Sequence, residues 1–282
     1  MKMGGIEVPE SRIEQFGMVE LPEFCDVKGH EKINFWLYKD EVICPRCESE
    51  KREKQRLRKI STDHYMSSKE GRRMFLYRHS IVHDKKILTK GIRDFINKDE
   101  SESQIKRKAN QIVMDVSSDK RNVFMVGPAG TGKTHLSLGI LKNINELSTS
   151  MRCLFVSLPK LLELIRKSFN YQNEPKNEDY YLGLLDEADV LVLDDIAGDL
   201  SMLNNKSASD FSSRILYSIL NARSEKSTIF TSNLTIPQLK EIYDERIISR
   251  IQTNVIELDF NKISDKRKIV SKLQNESRKT NG

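Results

Sequence analysis

Beyond residue 122 the chain settles into a regular rhythm. Short, almost unbroken apolar runs are separated by longer stretches in which apolar side chains recur every three or four positions. The runs at 123–126, 153–156, 190–193, 228–230 and 255–258 lack the in–out alternation of a half-exposed strand, so each predicts a strand covered on both faces. The stretches between them predict helices over 133–147, over 160–169 with Pro159 in the first turn, over a short segment ending near Ala188, over 207–225, and from Pro237 through about Arg250. Strand and helix in alternation predict an α/β domain with a parallel sheet flanked by helices.

The first third reads differently. Residues 1–50 are mixed and carry Pro9, Pro22, Pro45, the only tryptophan (Trp36) and three of the four cysteines. Residues 51–110 are charged and helix-compatible, with Gly71 and Gly91 as the breakers. The expected organisation is a small Cys/His domain over 1–60, a basic helical linker over 61–110, the α/β domain over 111–265 and a polar tail over 266–282. A length of 282 residues accommodates one substantial domain and a smaller companion.

Composition adds limits. With 38% hydrophobic and 31% charged residues, and no apolar run near the roughly 20 residues that span a bilayer, no membrane partner is expected. The start, Met1-Lys2-Met3-Gly4-Gly5, has no apolar export core, so the expected location is cytoplasmic. The net charge of +6 is gathered in the first third; residues 51–60 alone hold six Lys/Arg against one acid. Such a stripe suits a phosphate backbone or an acidic protein surface, and equally well a solvated helix face.

The strongest chemical signal follows the first apolar run. Gly127-Pro128-Ala129-Gly130-Thr131-Gly132-Lys133-Thr134 is a complete phosphate-binding loop between a predicted strand and a predicted helix. Its glycines let backbone N–H groups turn inward around phosphates, and the helix N-terminus adds partial positive charge. Lys133 is placed for the β and γ phosphates of ATP, and the Thr134 hydroxyl for magnesium. The run at 190–193 ends in two acids: Asp194 is placed to hold the magnesium shell and Asp195 to activate the attacking water. Asn233, after the run at 228–230, either positions that water or caps the turn before Pro237. Arg246 and Arg250 share a helix face at i and i+4. They are candidates to reach a neighbouring subunit's nucleotide, or else they form surface salt bridges with Glu241 or Asp244.

Near the N-terminus, Cys25, His30, Cys44 and Cys47 offer four ligands of the kind that hold a tetrahedral structural zinc. The Cys-x2-Cys half is a standard knuckle, the first half has unusual spacing, and unligated thiols are the alternative. A domain of about fifty residues builds a poor core, which a metal would compensate.

In this order and spacing, the elements from about residue 122 to 260 resemble the AAA+ ATPases, and within them the bacterial helicase-loader group (DnaC and DnaI, with phage-encoded versions). The similarity rests on Phe155-Val-Ser-Leu-Pro-Lys-Leu-Leu162, Asp189-Val-Leu-Val-Leu-Asp-Asp-Ile196, Ile229-Phe-Thr-Ser-Asn-Leu234 and Glu245-Arg-Ile-Ile-Ser-Arg250. The resemblance implies an AAA+ P-loop sheet without a C-terminal helical lid, preceded by a zinc-ribbon-like domain. It also implies an ATPase that serves as a switch in DNA replication, as a primosome component would.

The implied partners are a replicative DNA helicase hexamer, gripped by the N-terminal domain and Trp36, single-stranded DNA, and further copies of the chain joined through the ATP interface. Arg250 is then the leading arginine finger and Arg246 the second. The insertion carrying Lys160, Arg166, Lys167, Phe169 and Tyr171 is the candidate DNA contact, although an ordinary amphipathic helix has the same composition. Asp195 departs from the glutamate common in the superfamily, which leaves the hydrolysis rate open. A transposition helper ATPase, with a very similar core, is the main rival reading.

Overall fold

The computed structural model describes residues 2–3, 6–7, 18–95, 97–171, 174–198 and 206–266. The polar tail beyond Lys266, and with it the expectation about a lid, lies outside the described residues. The chain divides into two compact units, Met1–Ser67 and Ser68–Gly282.

In the first unit, β1 (Lys2–Met3) and β2 (Ile6–Glu7) form a short antiparallel ladder. An antiparallel three-stranded sheet follows, in the order β3 (Met18–Phe24), β4 (Asn34–Tyr38), β5 (Glu41–Ile43), and the unit ends in the helix α1 (Pro45–Ser67). Trp36 lies on the middle strand and is only 2% exposed. It is therefore part of this unit's core, not the docking contact expected of it. The basic stretch 51–60 is exposed throughout and forms i,i+3 and i,i+4 ion pairs such as Arg52–Glu48 at 3.3 Å. It reads as a solvated helix face.

The second unit is built on five parallel strands: β6 (Asn122–Val126), β7 (Cys153–Ser157), β8 (Val190–Asp194), β9 (Ser227–Ser232) and β10 (Val255–Asp259), in the order β10-β6-β9-β8-β7. Each predicted strand is present. β7, β8 and β9 are buried along their whole length, as unbroken apolar runs require. The helices are α2 (Lys69–His79), α3 (Glu100–Ser118), α4 (Lys133–Leu147), α5 (Leu158–Ser168), α6 (Glu178–Glu187), α7 (Lys206–Ala222), α8 (Ile236–Lys240) and α9 (Glu245–Gln252).

Two differences from the sequence reading have physical causes. The single helix expected from Pro237 through Arg250 is broken into α8 and α9. Tyr243 between them is buried with its hydroxyl donating to the Ile196 carbonyl, and Asp244 restarts the helix by accepting from the Arg246 N–H at 2.8 Å. Residues 68–110, expected to be a linker, instead belong to the second unit. Leu76, Leu88, Ile92, Phe95 and Ile105 join the same core as Val123, Leu136 and Phe155. That core supports β6, and through it the loop at the strands' C-terminal ends. In an open α/β sheet this is where ligands bind.

Candidate functional site

The loop leaving β6 needs its glycines for shape. Gly127 has φ of 146°, and a side-chain carbon there would lie 2.8 Å from the Phe260 backbone. Gly132, at φ 94°, turns the chain into α4 in a left-handed conformation that side chains resist. The first turn of α4 thus carries Lys133 and Thr134 directly behind the loop, as a phosphate site requires.

Lys133 is buried, 7% exposed, and its Nζ donates to Gly127 O at 2.6 Å, Pro128 O at 2.8 Å and Asn233 Oδ1 at 2.8 Å. The contact with Asn233 joins the loop to the tip of β9. The turn after β9 is held by other groups: Ser232 Oγ accepts from Leu234 N at 2.9 Å, and Gln238 Oε1 from Thr235 N at 2.9 Å. Asn233 is therefore not the turn's cap, and its amide faces the lysine.

Asp194 ends β8, buried, where the Thr231 hydroxyl donates to its Oδ1 at 2.7 Å and Thr134 also hydrogen-bonds its carboxylate. Burial raises the Asp194 pKa, and the two hydroxyls oppose that rise. A divalent cation would compensate the buried charge, and a carboxylate beside a hydroxyl is a donor set suited to magnesium. Asp195 sits at φ 58°, a left-handed position uncommon outside glycine, asparagine and aspartate, with its N–H donating to Thr231 Oγ1 at 2.9 Å. Thr231 thus clamps both acids from the neighbouring strand. Thr231 lies in the stretch 229–234 but has no assigned part on sequence alone; its signal is a hydroxyl at the tip of a buried strand beside the acid-tipped one.

The two arginines differ. Arg246 is paired with Asp244, Nε to Oδ1 at 2.9 Å, so the salt-bridge alternative describes it. Arg250 donates to Asn221 Oδ1 at 2.9 Å and to Arg246 O at 3.1 Å, with no carboxylate partner among the described residues.

In the insertion, Lys160 and Lys167 both bind Glu163, at 2.8 and 2.5 Å, and hold its carboxyl down to about 2. Arg166 lies over the Phe211 ring at 5.0 Å, and Phe169 meets that ring edge-on at 6.0 Å. Phe169 and Tyr171 are exposed. The structure thus brings Arg166 and Phe169 together at Phe211, which was not named from sequence, and Lys160 and Lys167 together at Glu163, but it places neither Tyr171 nor the two lysines at that ring.

In the first unit, the ligand atoms of Cys25, His30, Cys44 and Cys47 lie within 4.8 Å of one another. Cys25 Sγ is 3.6 Å from Cys47 Sγ, and His30 Nδ1 is 3.8 Å from Cys44 Sγ and 3.1 Å from Cys47 Sγ. Zinc bonds of ~2.3 Å to sulfur and ~2.0 Å to nitrogen give tetrahedral edges of ~3.5–3.8 Å, so the four residues fit this ion. His30 is buried, and its other nitrogen, Nε2, lies 3.1 Å from Glu50 Oε1, the carboxylate that fixes a metal-binding histidine's ring. Glu50, one turn after Cys47 on α1, was not identified from sequence. Glu50→Gln is expected to weaken zinc affinity about tenfold or more, read by competition with a chromogenic chelator; unchanged affinity would remove Glu50 from the site.

The family comparison matches IstB-like ATP-binding proteins over residues 67–272. The chain belongs to the IstB-like ATP-binding family. The match leaves the Cys/His cluster outside it and covers all the described residues of the second unit. No curated protein matches the chain.

Among solved structures, the chain is similar to the DnaC helicase loader, at 22% identity over 64% of this chain and 100% of that one, with a TM-score of 0.52. DnaI gives 22% identity, 64% and 95% coverage and a TM-score of 0.48. AMPPCP-bound DnaA from Aquifex aeolicus gives 19%, 67% and 56%, and 0.48. At 22% identity and a TM-score of 0.52, the likeness to the DnaC structure is one of fold. This IstB-like chain has no described helix long and apolar enough to cross a membrane.

Proposed function

We propose that this IstB-like ATPase grips a replicative hexameric DNA helicase and delivers it onto single-stranded DNA, with ATP as the switch. The observation that carries the reading is the pairing of a P-loop nucleotide site in one unit with a Cys/His cluster in the other, which lies outside the family match. The likeness in fold to the DnaC helicase loader, over the whole of that solved chain, is consistent with it.

In this reading, loop N–H groups and Lys133 hold the ATP phosphates, while Thr134 and Asp194 hold magnesium. Asp195 takes a proton from the water that attacks the γ-phosphorus, Asn233 orients that water, and ADP leaves. Arg250 reaches the nucleotide of a neighbouring copy, and Arg246, neutralised by Asp244, is the lesser candidate. Zinc serves the first unit as a structural ion. Domain roles follow: the first unit docks the helicase and the second binds ATP and DNA.

A transposition helper is the second reading, favoured by the family that matches. A strand-displacement assay separates the two. On a fork coated with single-strand binding protein, the chain with ATP and magnesium is expected to start unwinding by the replicative helicase. No stimulation would count against a loader.

For the DNA contact, Phe169→Ala and Tyr171→Ala are each expected to cost about 1–3 kcal/mol of affinity for an oligodeoxythymidylate, measured by fluorescence anisotropy. Affinities matching the wild type would leave the insertion as an ordinary charged surface.

A further inference from the structure

Helices α7 and α9 pack together and meet through two matched pairs. On α7, Tyr217 and Asn221 are one turn apart, and on α9 so are Arg246 and Arg250. The guanidinium carbons of Arg246 and Arg250 lie 5.2 and 4.8 Å from the centroid of the Tyr217 ring. Asn221 accepts from Arg250 Nη2 at 2.9 Å, and the Arg246 carbonyl accepts from Arg250 Nη1 at 3.1 Å. The ring, the amide and the carbonyl together hold the fork of Arg250 in one orientation on an exposed surface. An arginine side chain left free there would sample many rotamers.

The charges on the two forks are not equal. Asp244 pairs with Arg246, which in turn holds the Asp244 carboxyl below its usual range. No carboxylate pairs with Arg250 among the described residues, and its fork has N–H donors beyond the two already engaged. The partners of its guanidinium all lie on α7 and α9, and none on the loop 127–134 of its own chain. A fixed, uncompensated fork of this kind is suited to a phosphate arriving from outside the subunit, because its orientation need not be fixed at the moment of contact.

We infer that Tyr217 and Asn221 are positioning residues that hold Arg250 aimed at a nucleotide phosphate carried by a second copy of this chain. Neither touches the phosphate; Tyr217 supplies a ring face and Asn221 an acceptor. The inference rests on the reading of Arg250 as the arginine that crosses between copies.

The test reads self-association of the full chain by sedimentation velocity, with AMP-PNP and magnesium. Affinity for a fluorescent ATP analogue, measured on the dilute chain, is the readout that a folding defect would move. Arg250→Ala is expected to abolish the nucleotide-dependent part of the association. Tyr217→Leu is expected to weaken it about two- to fivefold, and Asn221→Ala by a similar factor of about two to five. Tyr217→Phe, which keeps the ring, is expected to restore association to near the wild-type level.

If Arg250→Ala weakens association while Tyr217→Leu and Asn221→Ala match the wild type, the positioning role is wrong and the crossing arginine stands. If Arg250→Ala itself matches the wild type, the crossing arginine is wrong and the inference falls with it. If Tyr217→Phe loses as much as Tyr217→Leu, the ring face is not what holds Arg250, and if nucleotide affinity falls in step with association, Tyr217 only packs the helices; either result overturns the inference.

Discussion

Lys133→Ala is expected to abolish ATP binding while leaving the chain folded. The ammonium of Lys133 is nearly buried and sits among three oxygens, those of Gly127, Pro128 and Asn233. Two of these are carbonyls of the loop itself, so the lysine holds the loop's shape from behind and lies one short movement from a phosphate in front. Two charge-assisted hydrogen bonds to the β and γ phosphates, at about 1.5–3 kcal/mol each, make the expected loss at least about a hundredfold in affinity. Titration of the variant with ATP and magnesium by isothermal calorimetry reads this directly. Unchanged affinity would mean that nucleotide binds elsewhere.

Arg223 is expected to matter as much for stability, without touching the nucleotide. It follows α7, is 3% exposed, and spends its whole fork on backbone and hydroxyl oxygens. Nη1 donates to Leu185 O at 2.7 Å and Ala188 O at 2.6 Å, Nη2 to Ser227 O at 2.8 Å, and Nε to Thr228 Oγ1 at 3.2 Å. It thereby ties the end of α6 to the first residues of β9, the strand that presents Thr231 and Asn233.

Burial pulls the Arg223 pKa down to about 10, so it remains charged at neutral pH. Arg223→Ala leaves several buried acceptors unpaired, which places the expected loss at roughly 3–5 kcal/mol of unfolding free energy in urea. Arg223→Lys is expected to recover only a small part, since an ammonium cannot reproduce the fork. A loss below about 1 kcal/mol would show that water or rearrangement satisfies these oxygens.

What was legible from sequence follows from how local each signal is. The five strands of the parallel sheet are apolar runs with both faces covered, and the phosphate loop is a contiguous motif between two such elements. The break between α8 and α9 depends on Tyr243 reaching the carbonyl of Ile196, far away in sequence, and no local pattern announces it. Helix α3 buries Ile105, Ala109, Ile112, Val113 and Val116 along one stripe. That periodicity is present in the chain, but the dense charge around it made the segment read as a linker. Trp36 looked like a surface anchor because a lone tryptophan gives no sign of which side of a strand is covered.

The site shows the same division. Lys133, Thr134, Asp194 and Asp195 are recognised by adjacency to glycines or to a strand end. Thr231, Glu50, Tyr217 and Asn221 each contact another candidate side chain, and such contacts depend on which elements pack together. Asn233 has two readings on sequence alone; in the structure its Oδ1 accepts from Lys133 Nζ at 2.8 Å, and Ser232 and Gln238 hold the turn. Cys25, His30, Cys44 and Cys47 were legible as a ligand set, while the carboxylate of Glu50 behind His30 depended on how the helix after Cys47 packs.

The most direct test of the loader reading is native mass spectrometry of the full chain mixed with a replicative helicase hexamer, with and without ATP and magnesium. The same mixture is then made with a chain lacking residues 1–67. A discrete complex formed by the full chain and lost with that deletion is the expected result. It would assign the partner and the docking unit together. Absence of any complex in either nucleotide condition would contradict the loader reading and leave an IstB-like ATPase whose partner lies elsewhere, with a transposase the next to try.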